Sequence, residues 1–234
     1  VYFPVKHRML IHFYAFIFSE DWRADLWAKR FVRDHVRYID HVYCNAAAVV
    51  AKVREKSLKN DPEGGGVFDT LHVRRGDFQY KIVKRTSEQL YEDSKEHLTP
   101  GSTLFIATDE FDKSYWEIFK THYDVYFLDD FMDALKGVSP NYFGMLDQLV
   151  AAQGRVFYGT FFSTFSSYIN RIRGYHDDRG DELTGSPKDG KIKSWYFFPE
   201  DRKNEMVAYM PSRPPFYSRE FPAGWRDIDA DVME

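Results

Sequence analysis

Hydrophobic positions recur at helical spacing over the first part of the chain. From Asp21 to about Leu58 the pattern predicts two helices with a bend near Tyr38. One face of the second helix is apolar along its length, which indicates a stripe packed against a core: Ile39, Val42, Tyr43, Ala46, Val49, Val50 and Val53. The polar, glycine-rich tract from Lys59 to Gly66 then ends this helix and predicts a loop.

Beyond this loop, short β-branched and aromatic runs alternate with amphipathic segments. The runs predict strands at Val67–Val73, Leu104–Ala107, Val125–Leu128 and Val156–Tyr158. The segments predict helices that follow these strands: one opened by a capping box of Thr86 and Gln89, one near Phe111–His122, one at about Asn141–Ala152 ended by Gly154, and one at Ser163–Arg173 ended by Gly174. Strand-then-helix units in series predict an α/β fold, a Rossmann-like parallel sheet flanked by helices.

The last sixty residues have a different character. His176 to Lys193 is polar and rich in glycine, and Pro211 to Gly224 carries four prolines. This pattern predicts irregular structure around the apolar patch Trp195-Tyr-Phe-Phe198. The expected organisation is a helical lead-in over residues 1–62, a Rossmann-like domain over 63–175 and an irregular extension over 176–234.

Composition limits the classes of function. The 234 residues include 32 basic and 36 acidic side chains, and a net charge of -4 argues against a general nucleic-acid binder. Cys44 is the single cysteine, which excludes an intrachain disulfide and any zinc site built on paired cysteines. The apolar stretch from His12 to Ser19 is too short to span a bilayer.

The motif His72-Val-Arg-Arg-Gly-Asp-Phe78 stands where the first predicted strand ends. Its two arginines offer planar, bidentate donors and its glycine allows close backbone approach, which together suit the phosphates of a nucleotide. Alternation along the strand places His72 and Arg74 on the same face of the sheet. The alternative is structural, with both arginines forming ion pairs with Asp77 or Asp109.

A second segment, Gly159-Thr-Phe-Phe-Ser-Thr-Phe-Ser-Ser167, follows the last predicted strand and opens the last helix. The free backbone N–H groups of a helix start, with the hydroxyls of Ser163 and Thr164, can hold a phosphate. The alternative is an ordinary N-cap by Ser163 or Thr164, with Phe165 and its neighbours in the core. Because ligands bind beyond the carboxyl ends of parallel strands, this segment and the arginine motif are expected at one sheet edge.

Two carboxylates complete the set of candidate residues. Asp109 follows the second predicted strand, where it can orient a sugar hydroxyl, the arginines or its own helix start. Asp147 lies among apolar residues, and a buried acid needs a partner. The two adjacent N–H donors of a guanine edge provide one, and so do Arg171 or a backbone N–H.

In this order and spacing, the motifs resemble the donor-binding half of the GDP-fucose-dependent O-fucosyltransferases: His72-Val-Arg-Arg-Gly-Asp-Phe78, Ala107-Thr-Asp109, Asp147 and Ser163-Thr-Phe-Ser166. Protein O-fucosyltransferases and α-1,6-fucosyltransferases share this region. The resemblance runs from about Arg8 to Arg173, and its lead-in, Arg30-Phe-Val-Arg-Asp-His-Val-Arg-Tyr38, is most similar to the plant and algal type. It implies the C-terminal lobe of a two-lobed GT-B glycosyltransferase, with a GDP-sugar-binding domain at 63–175.

The resemblance also implies a reaction. Fucose is expected to pass from GDP-fucose to a hydroxyl of a protein or glycan acceptor, with inversion. Arg74 is the implied catalytic residue, because a guanidinium at the β-phosphate and bridging oxygen stabilises the charge on departing GDP without a metal or other cofactor. The other implied donor contacts are His72 and Asp147 at the guanine, Ser163, Thr164 and Phe165 at the diphosphate, and Asp109 nearby.

Other expectations follow from the resemblance or compete with it. A catalytically inactive relative that acts as a nucleotide-sensing or interaction module is the alternative function. A dehydrogenase-type binder is disfavoured, because Arg-Arg-Gly-Asp replaces G-x-G-x-x-G after the first strand. The family's glycine-rich first-lobe motif is expected upstream of Val1, so this fragment alone is expected to bind donor poorly. The implied compartment is the endoplasmic reticulum or Golgi lumen, behind a membrane anchor absent from this chain.

Overall fold

The computed structural model describes residues 21–177, 193–197, 220, 222–226 and 228–229. Helices and strands alternate through most of this length: α1 (Trp22–His35), α2 (Asp40–Asn60), β1 (Asp69–Val73), α3 (Ser87–Ser94), β2 (Thr103–Thr108), α4 (Glu117–His122), β3 (Asp124–Tyr126), α5 (Phe143–Ala151), β4 (Val156–Thr160), α6 (Thr164–Asp177), β5 (Lys193–Phe197) and α7 (Ala223–Arg226). Within these residues, no helix is both long and apolar enough to cross a membrane.

The five strands form one parallel sheet in the order β3-β2-β1-β4-β5. The chain adds β2 and β3 on one side of β1 and then returns to add β4 and β5 on the other side. The carboxyl ends of β1 and β4 therefore flank the point where the direction of winding reverses, which is the usual ligand crevice of such sheets. The predicted α/β fold is confirmed.

Hydrophobic cores cover both faces of the sheet, as a buried parallel sheet requires. Helices α2, α5 and α6 cover one face, where the predicted α2 stripe contributes Val42, Ala46, Val49 and Val53. Ile39, at the start of that stripe, is instead exposed. Helices α3 and α4 cover the other face, around Leu71, Ile106 and Phe119.

The ends of several elements differ from the predicted ones. β1 begins at Asp69, and β3 ends at Tyr126 because the next residues enter 3₁₀ turns at Leu128–Leu135. Lys113–Trp116 and Pro140–Tyr142 are also 3₁₀ turns, and each leads into an α-helix. The capping box of Thr86 and Gln89 at the start of α3 is confirmed by both of its hydrogen bonds.

Gly174 does not end the last predicted helix, because α6 continues to Asp177. A Cβ atom at Gly174 would lie 2.5 Å from the carbonyl oxygen of Pro222 and 2.8 Å from Cβ of Trp225. The glycine therefore allows the α7 segment to pack closely against α6, and a helix-ending role was the wrong interpretation.

The strand β5 was not predicted from the sequence, which indicated irregular structure throughout 176–234. Lys193–Phe197 pairs in parallel with β4 from end to end. The buried guanidinium of Arg173 fixes this strand, since it donates to Oγ of Ser194 at 2.8 Å and to the carbonyl oxygen of Lys193 at 3.3 Å. Part of the C-terminal extension thus completes the sheet.

A buried ion pair joins the end of the chain to α6. Nε of Arg171 donates to Oε2 of Glu220 at 2.7 Å, and the two side chains are 0% and 2% exposed. The ring of Trp225 lies 4.3 Å from the guanidinium, and the Tyr196 hydroxyl donates to the Glu220 carbonyl at 2.7 Å. These contacts connect α6, β5 and α7 around one desolvated charge pair.

Replacing Glu220 with alanine should lower the free energy of unfolding by about 3–5 kcal/mol, because it leaves the buried Arg171 charge without its carboxylate. Chemical denaturation measures the loss. The matched control is Glu92→Ala, which removes an exposed acid paired with Lys95 and should cost less than about 1 kcal/mol. Equal losses in the two variants would contradict this role of the buried pair.

Candidate functional site

The carboxyl ends of β1, β2 and β4 meet the start of α6 at one edge of the sheet. Hydrogen bonds and ring contacts there link most of the predicted site residues to one another: His72, Arg74, Asp109, Ser163 and Phe165. Asp147 lies on α5, one turn after Gly144, where a Cβ atom would sit 3.6 Å from the Phe165 ring. The structure therefore gathers side chains that are up to 93 residues apart in the sequence.

Asp109 joins the ends of β1 and β2. Its Oδ1 accepts the backbone N–H of Arg75 at 2.7 Å, and its Oδ2 accepts that of Gly76 at 3.0 Å. Nη1 of Arg74 lies 3.0 Å from the same Oδ2. Of the roles considered for this carboxylate, the contacts match the one that orients the arginines.

The two adjacent arginines have different environments. Arg75 is held by Glu110 at 2.7 Å, by the Arg85 carbonyl at 2.6 Å and by the Tyr115 ring at 4.0 Å. Arg74 keeps a side chain that is 39% exposed, and beyond Asp109 it donates to the backbone carbonyl of Asp77 at 3.3 Å. The structural alternative is therefore correct for Arg74, which forms the ion pair with Asp109, and wrong about the partner of Arg75, which is Glu110. Part of the Arg74 side chain nevertheless stays exposed at the edge.

The loop between β4 and α6 contains a strained residue followed directly by the N-cap of α6. Phe162 has φ of 64°, the one positive value outside glycine among the described residues, and such strain concentrates at functional sites. Ser163 is the N-cap: its Oγ accepts the Ser166 N–H at 3.5 Å and its carbonyl accepts the Ser167 N–H at 3.0 Å.

Two backbone N–H groups at the start of this helix are not hydrogen-bonded to any residue that the structure describes. Among the described residues, the backbone N–H groups of Thr164 and Phe165 have no hydrogen-bond acceptor. They belong to the first turn of a 14-residue helix, where the helix dipole favours an anion. The N-cap and the phosphate-binding interpretation are therefore compatible, because Ser163 uses its own oxygens and leaves the next two N–H groups unbonded.

His72 is buried against the start of α6. Its Nδ1 lies 2.6 Å from Oγ of Ser166, and its ring stacks on Phe165 with 4.3 Å between centroids. Burial lowers the pKa of His72 to about 3; the charge of Asp109 opposes this shift, and Arg74 adds a smaller lowering. The imidazole is accordingly neutral throughout the physiological range.

Asp147 retains an unsatisfied carboxyl oxygen. Within the part of the chain that the structure describes, its buried Oδ1 has no hydrogen-bond partner. Arg171, a partner considered from the sequence, is instead bound by Glu220. Burial, and secondarily the charge of Asp129, raises the pKa of Asp147 well above its usual range.

Two further residues position this edge, and neither is among the site residues predicted from the sequence. Oγ1 of Thr160 accepts the Arg74 N–H at 2.8 Å and donates to the His72 carbonyl at 3.0 Å. Nε2 of Gln148 donates to the Phe165 carbonyl at 3.3 Å. Thr160 lies inside the quoted Gly159–Ser167 segment, which was a usable signal, whereas nothing local marks Gln148.

Titratable side chains near this edge do not form a recognisable metal centre. Among the described ranges, no group of three or more His, Cys, Asp or Glu is placed to hold a metal ion. The independence of the reaction from metal stays a prediction.

Fold and site together define an α/β domain that carries hydrogen-bond donors suited to an anion at the carboxyl edge of its parallel sheet. Residues 5–176 match the family model described as GDP-fucose protein O-fucosyltransferase. The chain belongs to this GDP-fucose protein O-fucosyltransferase (O-FucT) family, whose donor substrate is GDP-fucose, and the suspected relationship is confirmed. No curated protein matches the chain.

Gly76→Ala should destabilise the protein by about 1–3 kcal/mol, because the added methyl group would lie 2.5 Å from Oδ2 of Asp109 and force the two apart. Chemical denaturation gives the free energy of unfolding. Gly224→Ala is the control, since a Cβ there meets no atom within 4 Å. A Gly76 variant as stable as the Gly224 variant would contradict the close Asp109 contact.

Asp147→Asn should stabilise the protein increasingly as the pH rises. In the unfolded chain this acid ionises near its ordinary pKa of about 3.9, whereas the folded pKa is raised. Wild-type stability is therefore lost between those two values as the pH increases, and the neutral amide avoids that loss. Denaturation of both proteins from pH 4 to 8 measures the difference in their free energies of unfolding. A difference that does not change with pH would refute the expectation.

Proposed function

We propose that this chain binds GDP-fucose at the crevice between β1 and β4 and takes part in transfer of fucose to a hydroxyl of a protein or glycan acceptor, with inversion. Family membership supports GDP-fucose as the sugar donor. The observation that carries the proposal is the presence of three hydrogen-bond donors at one sheet edge: the partly exposed guanidinium of Arg74 and the unbonded N–H groups of Thr164 and Phe165.

The diphosphate is assigned to the start of α6. A phosphate there accepts the N–H groups of Thr164 and Phe165 and meets the positive end of the helix dipole. Arg74 follows the neighbouring strand β1, and its backbone N–H ties the end of that strand to Thr160 of β4 at 2.8 Å. Ser163 acts as the N-cap through its Oγ and its carbonyl oxygen, and the Thr164 hydroxyl is available as a further hydrogen-bond donor.

The guanine is assigned to the part of the crevice between β1 and α5. The unsatisfied Oδ1 of Asp147 supplies an acceptor for the N1–H and N2–H donors of guanine. Ionisation of this half-buried acid, whose Oδ1 is shielded from solvent, is unfavourable in the free protein, and two N–H donors from the base offset that cost. His72, stacked on Phe165, supplies the second contact to the base.

The chemistry follows from where charge develops. The acceptor oxygen forms a bond to C1 of fucose while the bond from C1 to the β-phosphate oxygen breaks, and that electron pair leaves with GDP. The proton of the acceptor hydroxyl passes to the departing diphosphate. Arg74 is the catalytic residue, because its guanidinium stabilises the growing negative charge and so supplies the positive charge without a metal ion.

The same proposal covers the wider organisation. Residues 63–175 act as the GDP-sugar-binding domain of a GT-B enzyme, 1–62 as a helical lead-in and 176–234 as an extension that supports the sheet. The family relationship favours the lumen of the endoplasmic reticulum or Golgi as the site of the reaction.

Arg74→Ala should lower fucose transfer by the complete protein about 10²–10³-fold, the usual cost of removing a donor that stabilises developing charge. Because this side chain is 39% exposed, the free energy of unfolding should change by less than about 1 kcal/mol. Turnover of GDP-fucose and denaturation together measure both effects. Arg23→Ala, at an exposed arginine on α1, is the matched control.

Unchanged turnover in the Arg74 variant would overturn the assignment of this residue. Binding of GDP-fucose by the wild-type protein without any transfer would favour the nucleotide-sensing module. Transfer that persists in EDTA is expected, and its loss with recovery on adding a divalent cation would contradict the proposed metal-free chemistry.

A further inference from the structure

A buried hydroxyl touches the imidazole that the proposed function places at the base. Oγ of Ser166 lies 2.6 Å from Nδ1 of His72, and the residues are 0% and 4% exposed. Within the described residues this is the single hydrogen bond of either side chain. The direction of this bond therefore determines both the tautomer of His72 and the orientation of the Ser166 hydroxyl proton.

The hydroxyl must be the donor. A neutral imidazole has one N–H and one acceptor nitrogen, and a serine hydroxyl carries a proton that needs an acceptor when it is buried. Ser167, the next residue, gives its hydroxyl proton to the Ser163 carbonyl at 3.3 Å, but Ser166 has no such bond to its own helix. If Nδ1 carried the proton instead, the buried Ser166 hydroxyl would have no acceptor.

Local packing fixes this arrangement. A Cβ atom at Gly159 would lie 2.7 Å from Cβ of Ser166, so the serine fits directly beneath the β4 backbone. The Phe165 ring covers one face of the imidazole. These contacts restrain both partners, and the low pKa of His72 keeps the ring neutral so that its tautomer matters.

We propose that Ser166 sets the base specificity of the nucleotide site by holding His72 as the tautomer protonated on Nε2. This inference rests on the proposed function, which places His72 at the base. An Nε2–H group is a donor, and guanine presents acceptors, O6 and N7, on one edge, whereas adenine presents an amino donor in place of O6. The site thus accepts a carbonyl and leaves the adenine amino group unpaired. Ser166 is a positioning residue that acts through His72.

The first test reads the tautomer in the wild-type protein without any nucleotide. Long-range ¹H–¹⁵N correlation spectra of the histidine rings distinguish a protonated from an unprotonated nitrogen, and the His72→Gln spectrum assigns the signal. The expected result at pH 7 is a neutral His72 ring with its proton on Nε2. A proton on Nδ1 would overturn the proposal.

The second test measures selectivity. In the complete protein, Ser166→Ala should reduce the ratio of GDP to ADP affinity by about tenfold, because the ring can then adopt either tautomer. Ser167→Ala removes the neighbouring buried hydroxyl and should leave that ratio unchanged. If the alanine variant does not fold, Ser166→Cys replaces it, since a thiol is a weaker donor of similar shape.

The outcomes separate the two claims. A wild-type protein that binds GDP well above ADP, with the same ratio in the Ser166 variant, would overturn the specificity role while leaving the proposed function standing. A complete wild-type protein that binds no GDP would overturn both.

Discussion

The carboxylate of Asp109 is the contact on which the site depends. It accepts two consecutive backbone N–H groups at the end of β1 and also meets the Arg74 guanidinium. Two N–H groups can bond to one carboxylate in this way because Gly76 has no Cβ, which would clash with Oδ2 of Asp109. The turn that results sends Arg74 and Arg75 to different surroundings, one at the crevice and one against Glu110 and Tyr115.

The other half of the site depends on the far end of the chain. Phe162, with its strained backbone, packs in a small cluster with Phe161, Val83 and Tyr196. Tyr196 belongs to β5 and is bonded through its hydroxyl to both backbone groups of Glu220. The C-terminal extension therefore supports the loop that opens α6, which gives it a structural part in the proposed phosphate site.

The parallel sheet and the edge that carries the candidate residues could be predicted from the sequence, because alternating strands and helices leave few topologies. The motif after β1 and the segment before α6 were placed at that edge by the same rule. The partners of individual side chains could not be predicted from the sequence. Arg171 finds Glu220 rather than Asp147, and Arg75 finds Glu110, through contacts between distant segments. β5 was not predicted because Lys193-Ser-Trp-Tyr-Phe197 is short and begins at the end of the polar, glycine-rich tract from His176 to Lys193, which indicated irregular structure.

The proposed site for a guanosine diphosphate rests on the Asp109 contact, the start of α6 and the unsatisfied Asp147 oxygen. Nucleotide binding is the most direct test of this proposal. Isothermal titration calorimetry of the complete protein with GDP-fucose, GDP and NAD distinguishes a GDP-sugar site from the dinucleotide site of other Rossmann-like proteins. The account predicts that GDP-fucose and GDP bind with similar affinity and that NAD does not bind. Tight binding of NAD with none of GDP would contradict it.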